Sequence, residues 1–321
     1  MTQQHRILVG DCIEMMRTLP DQSVHTCITS PPYFGLRDYG VDGQIGLEAS
    51  PREFIDSLVA VFREVRRVLR NDGTLWVNLG DSYASGGRGG GGRYMAERGD
   101  GAWQGKGDAT GWRSAPAGWK HKDLLGLPWR LAIALQDEGW YLRQDIIWHK
   151  PNPMPESIKD RCTKAHEYLF LLSKSPRYHF DQEAIREQAT KGFSGSEFNA
   201  GKTAEHQLGR SSDRDRVDDG MRNKRSVWTV ATASFKGAHF ATFPPDLIRP
   251  CVLAGSPRGG MVLDPFGGAG TTALVAMQEG RQSVICELNP EYAAIARQRL
   301  DTAWIEGAAQ MDFLLDQSPA A

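Results

Sequence analysis

With 321 residues, 40% apolar and 24% charged, the chain has room for one large domain carrying an insertion, or for two domains, and its composition is globular rather than disordered. No apolar stretch reaches the ~18 residues of a membrane span, the amino end "MTQQHRILVGD" lacks an export pattern, and the five cysteines show no paired spacing; this predicts a reduced, cytoplasmic protein with no membrane contact, disulfide or metal cluster. A net charge of -1 means that any surface for a polyanion must be local.

The first elements read as a βαβ unit. "RILVG" (6 to 10) and "HTCIT" (25 to 29) are short β-branched runs on either side of a helical segment from Cys12 to Leu19. Ser50 and Glu53 then have capping-box spacing, Pro51 takes the first helical position, and Phe54, Leu58, Phe62, Val65 and Leu69 recur every three or four residues until Asn71-Asp72-Gly73 stops the helix. "TLWVNLG" (74 to 80) follows as a buried strand. From Ser85 to about Lys122 glycine dominates, punctuated by Trp103, Trp112 and Trp119, and the pattern is that of an insertion loop.

Order resumes with a helix near Pro128 to Glu138 and the strands "YLRQDIIW" and "HEYLFLLSK", with "RYHF" (177 to 180) as the expected hairpin partner in an antiparallel end to the sheet. Residues 186 to 226 are polar, with Lys202, Arg210, Arg214, Arg216, Arg222, Lys224 and Arg225 scattered through them; they read as a solvated loop or as a basic contact surface. The carboxyl-terminal part is strand, glycine turn, helix, strand, helix: "MVL", then Ala269 to Glu279, then "QSVICEL", then a helix capped by Asn289 with Pro290 inside it.

Two constellations carry chemistry. In "DPFGGAGTT" (264 to 272), Gly267, Gly268 and Gly270 let the backbone pass close to a ligand at a helix start, and Glu287 follows ~20 residues later, where a carboxylate accepts both hydroxyls of a ribose. Gly268-x-Gly270-x-x-Ala273 also satisfies the dinucleotide fingerprint, whereas a P-loop lacks its lysine. In "CITSPPYFGLRDYG" (27 to 40), two prolines end a strand because neither can donate to a neighbour. A carbonyl held between Pro31 and Pro32, with the Ser30 side chain, is suited to hydrogen-bonding the two hydrogens of an exocyclic base amine, and Tyr33 to stacking on that base once it leaves the duplex.

The chain resembles the S-adenosylmethionine-dependent amino-methyltransferases of DNA, which act on cytosine N4 or adenine N6. "TSPPY" (29 to 33) is similar to their catalytic element and "DPFGGAG" (264 to 270) to their cofactor element, with weaker likenesses in "GDC" (10 to 12), "GTLWVNLGDSY" (73 to 83), "HKPNPMP" (149 to 155) and "ELNPEY" (287 to 292). The catalytic element comes first by more than two hundred residues, the order of the family's beta group. The resemblance implies a Rossmann-like class I methyltransferase: an α/β fold with a mostly parallel twisted sheet, one antiparallel strand, a circularly permuted motif order and polar insertions. "RILVG" should then lie beside "QSVICEL" and the termini near one another.

The implied division is 1–180 for the catalytic half with its insertion at 85–122, 181–230 for target recognition, 231–300 for the cofactor half and 301–321 for a tail. The implied catalytic residues are Ser30, Pro31, Pro32 and Tyr33. The implied cofactor set is Asp11, Asp264, Phe266, Gly268, Gly270, Thr271, Glu287 and Asn289: Asp264 and the glycine turn hold the methionine part, Glu287 the ribose and Asp11 the adenine edge. Arg222, Lys224 and Arg225 are the implied DNA contacts, double-stranded DNA is the implied partner, and a homodimer and a cognate restriction endonuclease are left open.

A serine rather than an aspartate at position 30 favours cytosine N4 over adenine N6. The rivals are a nicotinamide-dependent oxidoreductase built on Gly268-x-Gly270-x-x-Ala273, which leaves Ser30-Pro31-Pro32-Tyr33 unexplained, and a non-catalytic DNA-binding module. Pro250-Cys251 invites comparison with a cytosine-C5 nucleophile, but its place in the amphipathic "PPDLIRPCVLAG" predicts a packed thiol. His149 and His166 read as structural, without metal-ligand spacing.

Overall fold

The computed structural model describes residues 4–36, 40–84, 118–189, 220–232 and 243–316, with backbone alone from 306 onward. The expected glycine-rich insertion, apart from 118–122, and the lysine and arginines of 190–219 lie outside the described residues, as do the extreme termini whose proximity was expected.

The chain begins with β1 (His5–Val9), α1 (Cys12–Arg17) and β2 (Val24–Thr29), followed by α2 (Pro51–Val68) and β3 (Leu69–Leu79). Then come α3 (Leu127–Asp137), β4 (Tyr141–His149) and β5 (His166–Ser173), the short β6 (Glu187–Gln188), β7 (Met221–Arg222) and β8 (Val227–Thr229), and finally α4 (Pro245–Gly255), β9 (Met261–Asp264), α5 (Thr271–Gln278), β10 (Gln282–Glu287) and α6 (Pro290–Asp316). Eight strands form one sheet in the order β1-β10-β9-β2-β3-β5-β4-β8. Every neighbour pair is parallel except the two that involve β5, so β5 is the antiparallel strand of this sheet.

Both faces of the sheet are covered, which is why its central strands read as continuous apolar runs rather than alternating ones. Leu75, Val77 and Leu79 of β3 pack with Phe54, Leu58 and Phe62 of α2 on one face, while Trp76 turns to the other, against Leu247 and Cys251 of α4. The α2 start bears out its capping box: Ser50 Oγ accepts from Glu53 N and Glu53 Oε2 accepts from Ser50 N, both at 3.2 Å. Such a cap stabilises a helix by ~1 kcal/mol. Ile7 of β1 packs in a third cluster with Ala296 and Leu300 of α6, and β1 pairs with β10 as expected.

Three expectations are corrected. Helix α2 ends at Val68, and Asn71-Asp72-Gly73 lies within β3, whose pairing with β2 shifts register between Val24 and Thr26. "RYHF" makes no strand, because β5 already has a neighbour on each side; instead His179 N donates to Asp72 O at 2.9 Å and the Phe180 ring stacks on Trp76. The sheet ends not at an antiparallel strand but at β8, parallel to β4 and contributed by the residues that close the polar stretch. The two ends of the insertion are pinned together, since Ala84 N donates to Asp123 O at 2.7 Å and Leu125 N to Ser82 O at 2.9 Å.

Candidate active site

From β2 the chain crosses through α2 to β3, and from β9 it crosses through α5 to β10, in opposite directions along the sheet. Crossovers that diverge from neighbouring strands leave a crevice at their carboxyl ends. Ser30 follows β2 and Asp264 ends β9, so the two sequence motifs meet at this switch point. A single cleft is lined by Ser30, Pro31, Pro32 and Tyr33 together with Asp264, Phe266 and Gly268.

The floor of the cleft is a buried carboxylate. Asp264 Oδ1 accepts from Thr29 Oγ1 at 2.6 Å and from Phe266 N at 3.0 Å, and Oδ2 accepts from Thr272 Oγ1 at 2.6 Å. Burial pushes its pKa up, against the pull of those donors. Asp264 thus welds β9 to β2 and to the first turn of α5, and both its oxygens are engaged within the protein.

The expected cofactor set is otherwise gathered along one wall. Asp11, Thr271, Glu287 and Asn289 join Asp264, Phe266 and Gly268 in the lining. Asp11 caps α1, its Oδ1 accepting from Ile13 N at 2.9 Å and Glu14 N at 3.0 Å. Glu287 stands at the end of β10, with Oε2 accepting from Gly268 N at 2.7 Å and Oε1 from Asn289 N at 2.8 Å. Burial raises its pKa, opposed by those backbone donors. Asn289 caps α6, its side chain accepting from Glu291 N at 2.9 Å.

Two of the three glycines of the turn do different work. Gly268 has φ +49° and a Cβ there would meet nothing within 4 Å, whereas at Gly270, with φ +77°, it would sit 2.9 Å from Ala296 Cβ. Gly270 is accordingly the member of the expected set that does not line the cleft; it admits α6 against the turn. From α6, Arg299 donates to Ala269 O at 2.5 Å and braces the same turn. A glycine cradle open to the cleft and a ribose-spaced carboxylate beside it fit a nucleoside-containing cofactor.

On the β2 side of the cleft, the Ser30 to Tyr33 turn is held by residues that the sequence did not single out for that task. Tyr33 Oη donates to Glu167 Oε2 at 2.7 Å, and Lys150 Nζ donates to Glu167 Oε1 at 2.5 Å. Burial first, and then the Glu167 carboxylate, hold the Tyr33 phenol well above its ordinary pKa, so it stays neutral. Asn78 Nδ2 donates to Tyr168 O at 3.1 Å and to Glu167 Oε2 at 3.3 Å, while Ser30 Oγ donates to Asn78 Oδ1 at 3.4 Å. Gly80 must lack a side chain, because a Cβ there would sit 2.6 Å from Tyr33 Cε2. Phe243 and Tyr292 also line the cleft. The aromatic-proline pair Phe243-Pro244 just before a helix was the available signal for the first; Tyr292 lies inside "ELNPEY".

Arg222, Lys224 and Arg225 lie far from this wall in sequence and gather on one acid instead. Glu187 Oε1 lies 3.0 Å from Arg222 Nε and 3.3 Å from Arg225 Nε, and Glu187 Oε2 lies 3.9 Å from Lys224 Nζ. Lys224 also sits over the Trp228 ring. Arg225 is the most exposed of the three, its side chain 66% accessible. Cys251 is fully buried in α4, with burial raising its pKa, and His149 bonds Thr229 Oγ1 across β4 and β8.

A doubly covered parallel sheet with one reversed strand, a glycine cradle after β9 and Ser-Pro-Pro-Tyr after β2 define a Rossmann-like methyltransferase domain. The chain belongs to the DNA methylase family N6_N4_Mtase, which matches residues 24–298. It is 50% identical over 298 residues to the type II methyltransferase M.Cfr9I of Citrobacter freundii, covering 91% of this chain and 86% of that protein. It is 47% identical over 296 residues to M.SmaI of Serratia marcescens, covering 92% and 90%. Among solved structures, PvuII DNA methyltransferase (cytosine-N4-specific) shares the fold, with a TM-score of 0.61 at 20% identity over 92% of this chain and 86% of that one. A putative DNA modification methylase of Thermus thermophilus, solved with S-adenosyl-L-methionine, aligns with a TM-score of 0.57 at 24% identity over 93% and 95%. The chain is a type II DNA methyltransferase of the N4/N6 family.

Proposed function

We propose that this enzyme methylates the N4 amino group of a cytosine rotated out of duplex DNA. The observation that carries the reading is the shared cleft, lined by both the Ser30 turn and the Gly268 turn, whose parent strands are joined by the Thr29 to Asp264 bond. When bound, S-adenosylmethionine supplies the electrophilic methyl group. Glu287 accepts the ribose hydroxyls, Asp11 takes the adenine edge through its free carboxylate oxygen, Gly268 lets the backbone approach, and Phe266, Thr271 and Asn289 complete the wall.

Ser30 and the Pro31 carbonyl accept the two amino hydrogens of the base. An exocyclic amine is a poor nucleophile because its lone pair is delocalised into the ring; two fixed acceptors favour a pyramidal nitrogen with that pair aimed across the cleft. Tyr33, neutral and tethered to Glu167, presents its ring to the base. Unpairing the base costs a few kcal/mol, which stacking and edge hydrogen bonds offset.

A neutral hydroxyl at position 30 supports cytosine, as does the fold shared with the cytosine-N4-specific PvuII enzyme. DNA is gripped through the basic residues near β7, with Arg225 the most exposed of them. Incubating the protein with duplex DNA and labelled S-adenosylmethionine, then digesting to nucleosides for mass spectrometry, tests the reading. N4-methylcytosine is the expected product, and N6-methyladenine would overturn the assignment of the base.

A further inference from the structure

Glu167 lies at the junction of three side chains, two of which belong to the catalytic element or hold it. It accepts from Tyr33 Oη, Lys150 Nζ and Asn78 Nδ2, at 2.7, 2.5 and 3.3 Å. A carboxylate can only accept, and so can the Tyr168 carbonyl that also faces Asn78 Nδ2. Together they allow one orientation of the Asn78 amide, with its oxygen toward Ser30. The Ser30 proton is then committed inward, to an amide oxygen, and both lone pairs of this cleft-lining hydroxyl are left to accept. Tyr33 has its own proton on Glu167.

This polarity matters chemically. A base amine brings hydrogens, not lone pairs, to Ser30; a serine free to point its proton outward would oppose it. We propose that Glu167, charge-balanced by Lys150, is a positioning residue for turnover: it fixes the Asn78 amide so that Ser30 is an obligate acceptor, and it anchors the Tyr33 ring. The side chains of both Lys150 and Glu167 are largely buried, at 19% and 14% accessible, so the pair is shielded from screening by solvent. The inference rests on the amino group docking at Ser30.

The test measures transfer of labelled methyl groups from S-adenosylmethionine to unmethylated genomic DNA, with cofactor affinity from calorimetry. Glu167→Gln is expected to lower kcat at least about tenfold, the scale of a misoriented reacting group, while cofactor Kd stays within about twofold of the parent. Tyr33→Phe, which deletes one hydroxyl, carries the test if Glu167→Gln fails to fold. The double variant should be no slower than the slower single one, because both break the same tether.

Parental kcat in Glu167→Gln, a loss of cofactor affinity that matches its loss of kcat, or independent losses in the double variant would overturn the proposal. Ser30→Ala, run alongside, separates the two levels. If it turns over at the parental rate, amino docking at Ser30 fails and the inference with it; if it is impaired while Glu167→Gln is not, only the inference fails.

Discussion

Thr29 Oγ1 donates to Asp264 Oδ1 at 2.6 Å, joining the last residue of β2 to the last residue of β9 across 235 positions of sequence. One residue further along each chain direction lie Ser30 and Pro265, so this bond sets the spacing between the two halves of the active cleft. Asp264 is fully buried, and each donor it loses leaves charge without compensation.

Thr29→Val, which keeps the shape and removes the hydroxyl, is expected to destabilise the fold by about 1–3 kcal/mol, the cost of a buried acceptor left short of a donor. Thr29→Ser should recover most of it. Denaturant midpoints measure the difference, and an unshifted midpoint for Thr29→Val would remove the bond's role.

Gly268 and Gly270 should respond in different assays. Gly268→Val, though itself strained at φ +49°, places a branched side chain into the open cleft, and its folded fraction is expected not to bind cofactor in calorimetry. Gly270→Ala meets Ala296 and a left-handed backbone, a conformation that costs an alanine ~1–2 kcal/mol, so its melting temperature should fall while the folded protein still binds cofactor. Equal binding losses in both would contradict the division.

Cofactor affinity should depend on pH through Glu287. A carboxylate accepting two ribose hydroxyls must be ionised, and burial has raised the pKa of this one. Affinity is therefore expected to be constant near neutrality and to fall as the pH drops, beginning above the ordinary glutamate value of about 4.3. Glu287→Gln should bind more weakly and without that dependence. Calorimetry across a pH series checks it, a flat parental profile being the contrary result.

Ser30→Ala should lower kcat and leave cofactor Kd unchanged, because Ser30 follows β2 whereas Glu287 ends β10, with β9 between them. Loss of cofactor binding in this variant would mean that the two motifs do not divide the work.

Arg225→Ala is expected to reduce the slope of log affinity for DNA against log salt by about one, as one phosphate contact is lost. Arg222→Ala acts differently: Arg222 is in β7, paired with Glu187 of β6, and its loss should loosen that two-stranded sheet. An unchanged salt slope for Arg225→Ala would exclude it from the DNA surface.

Much of the fold was legible because its elements are locally encoded. The Ser50 to Glu53 cap, the α2 stripe and the turn from Asp264 to Thr272 all declare themselves within a few residues, and the pairing of β1 with β10 followed from motif order. The failures were non-local. "RYHF" has strand composition, yet both sides of β5 were already taken by β3 and β4, and β8 is only Val227–Thr229, too short to stand out beside a polar stretch.

The site divides along the same line. Composition and spacing alone determined the two motifs, the nucleoside-type cofactor and an α/β architecture, since each depends on residues close together in the chain. Tertiary structure alone decided that Gly270 serves packing, that Arg222, Lys224 and Arg225 converge on Glu187, and that Glu167, Lys150 and Asn78 hold Ser30 and Tyr33. Hydrogen-bond partners drawn from β3, β5 and the end of β4 meet only when the sheet closes, and nothing in the one-dimensional pattern records which acceptor a given proton will find.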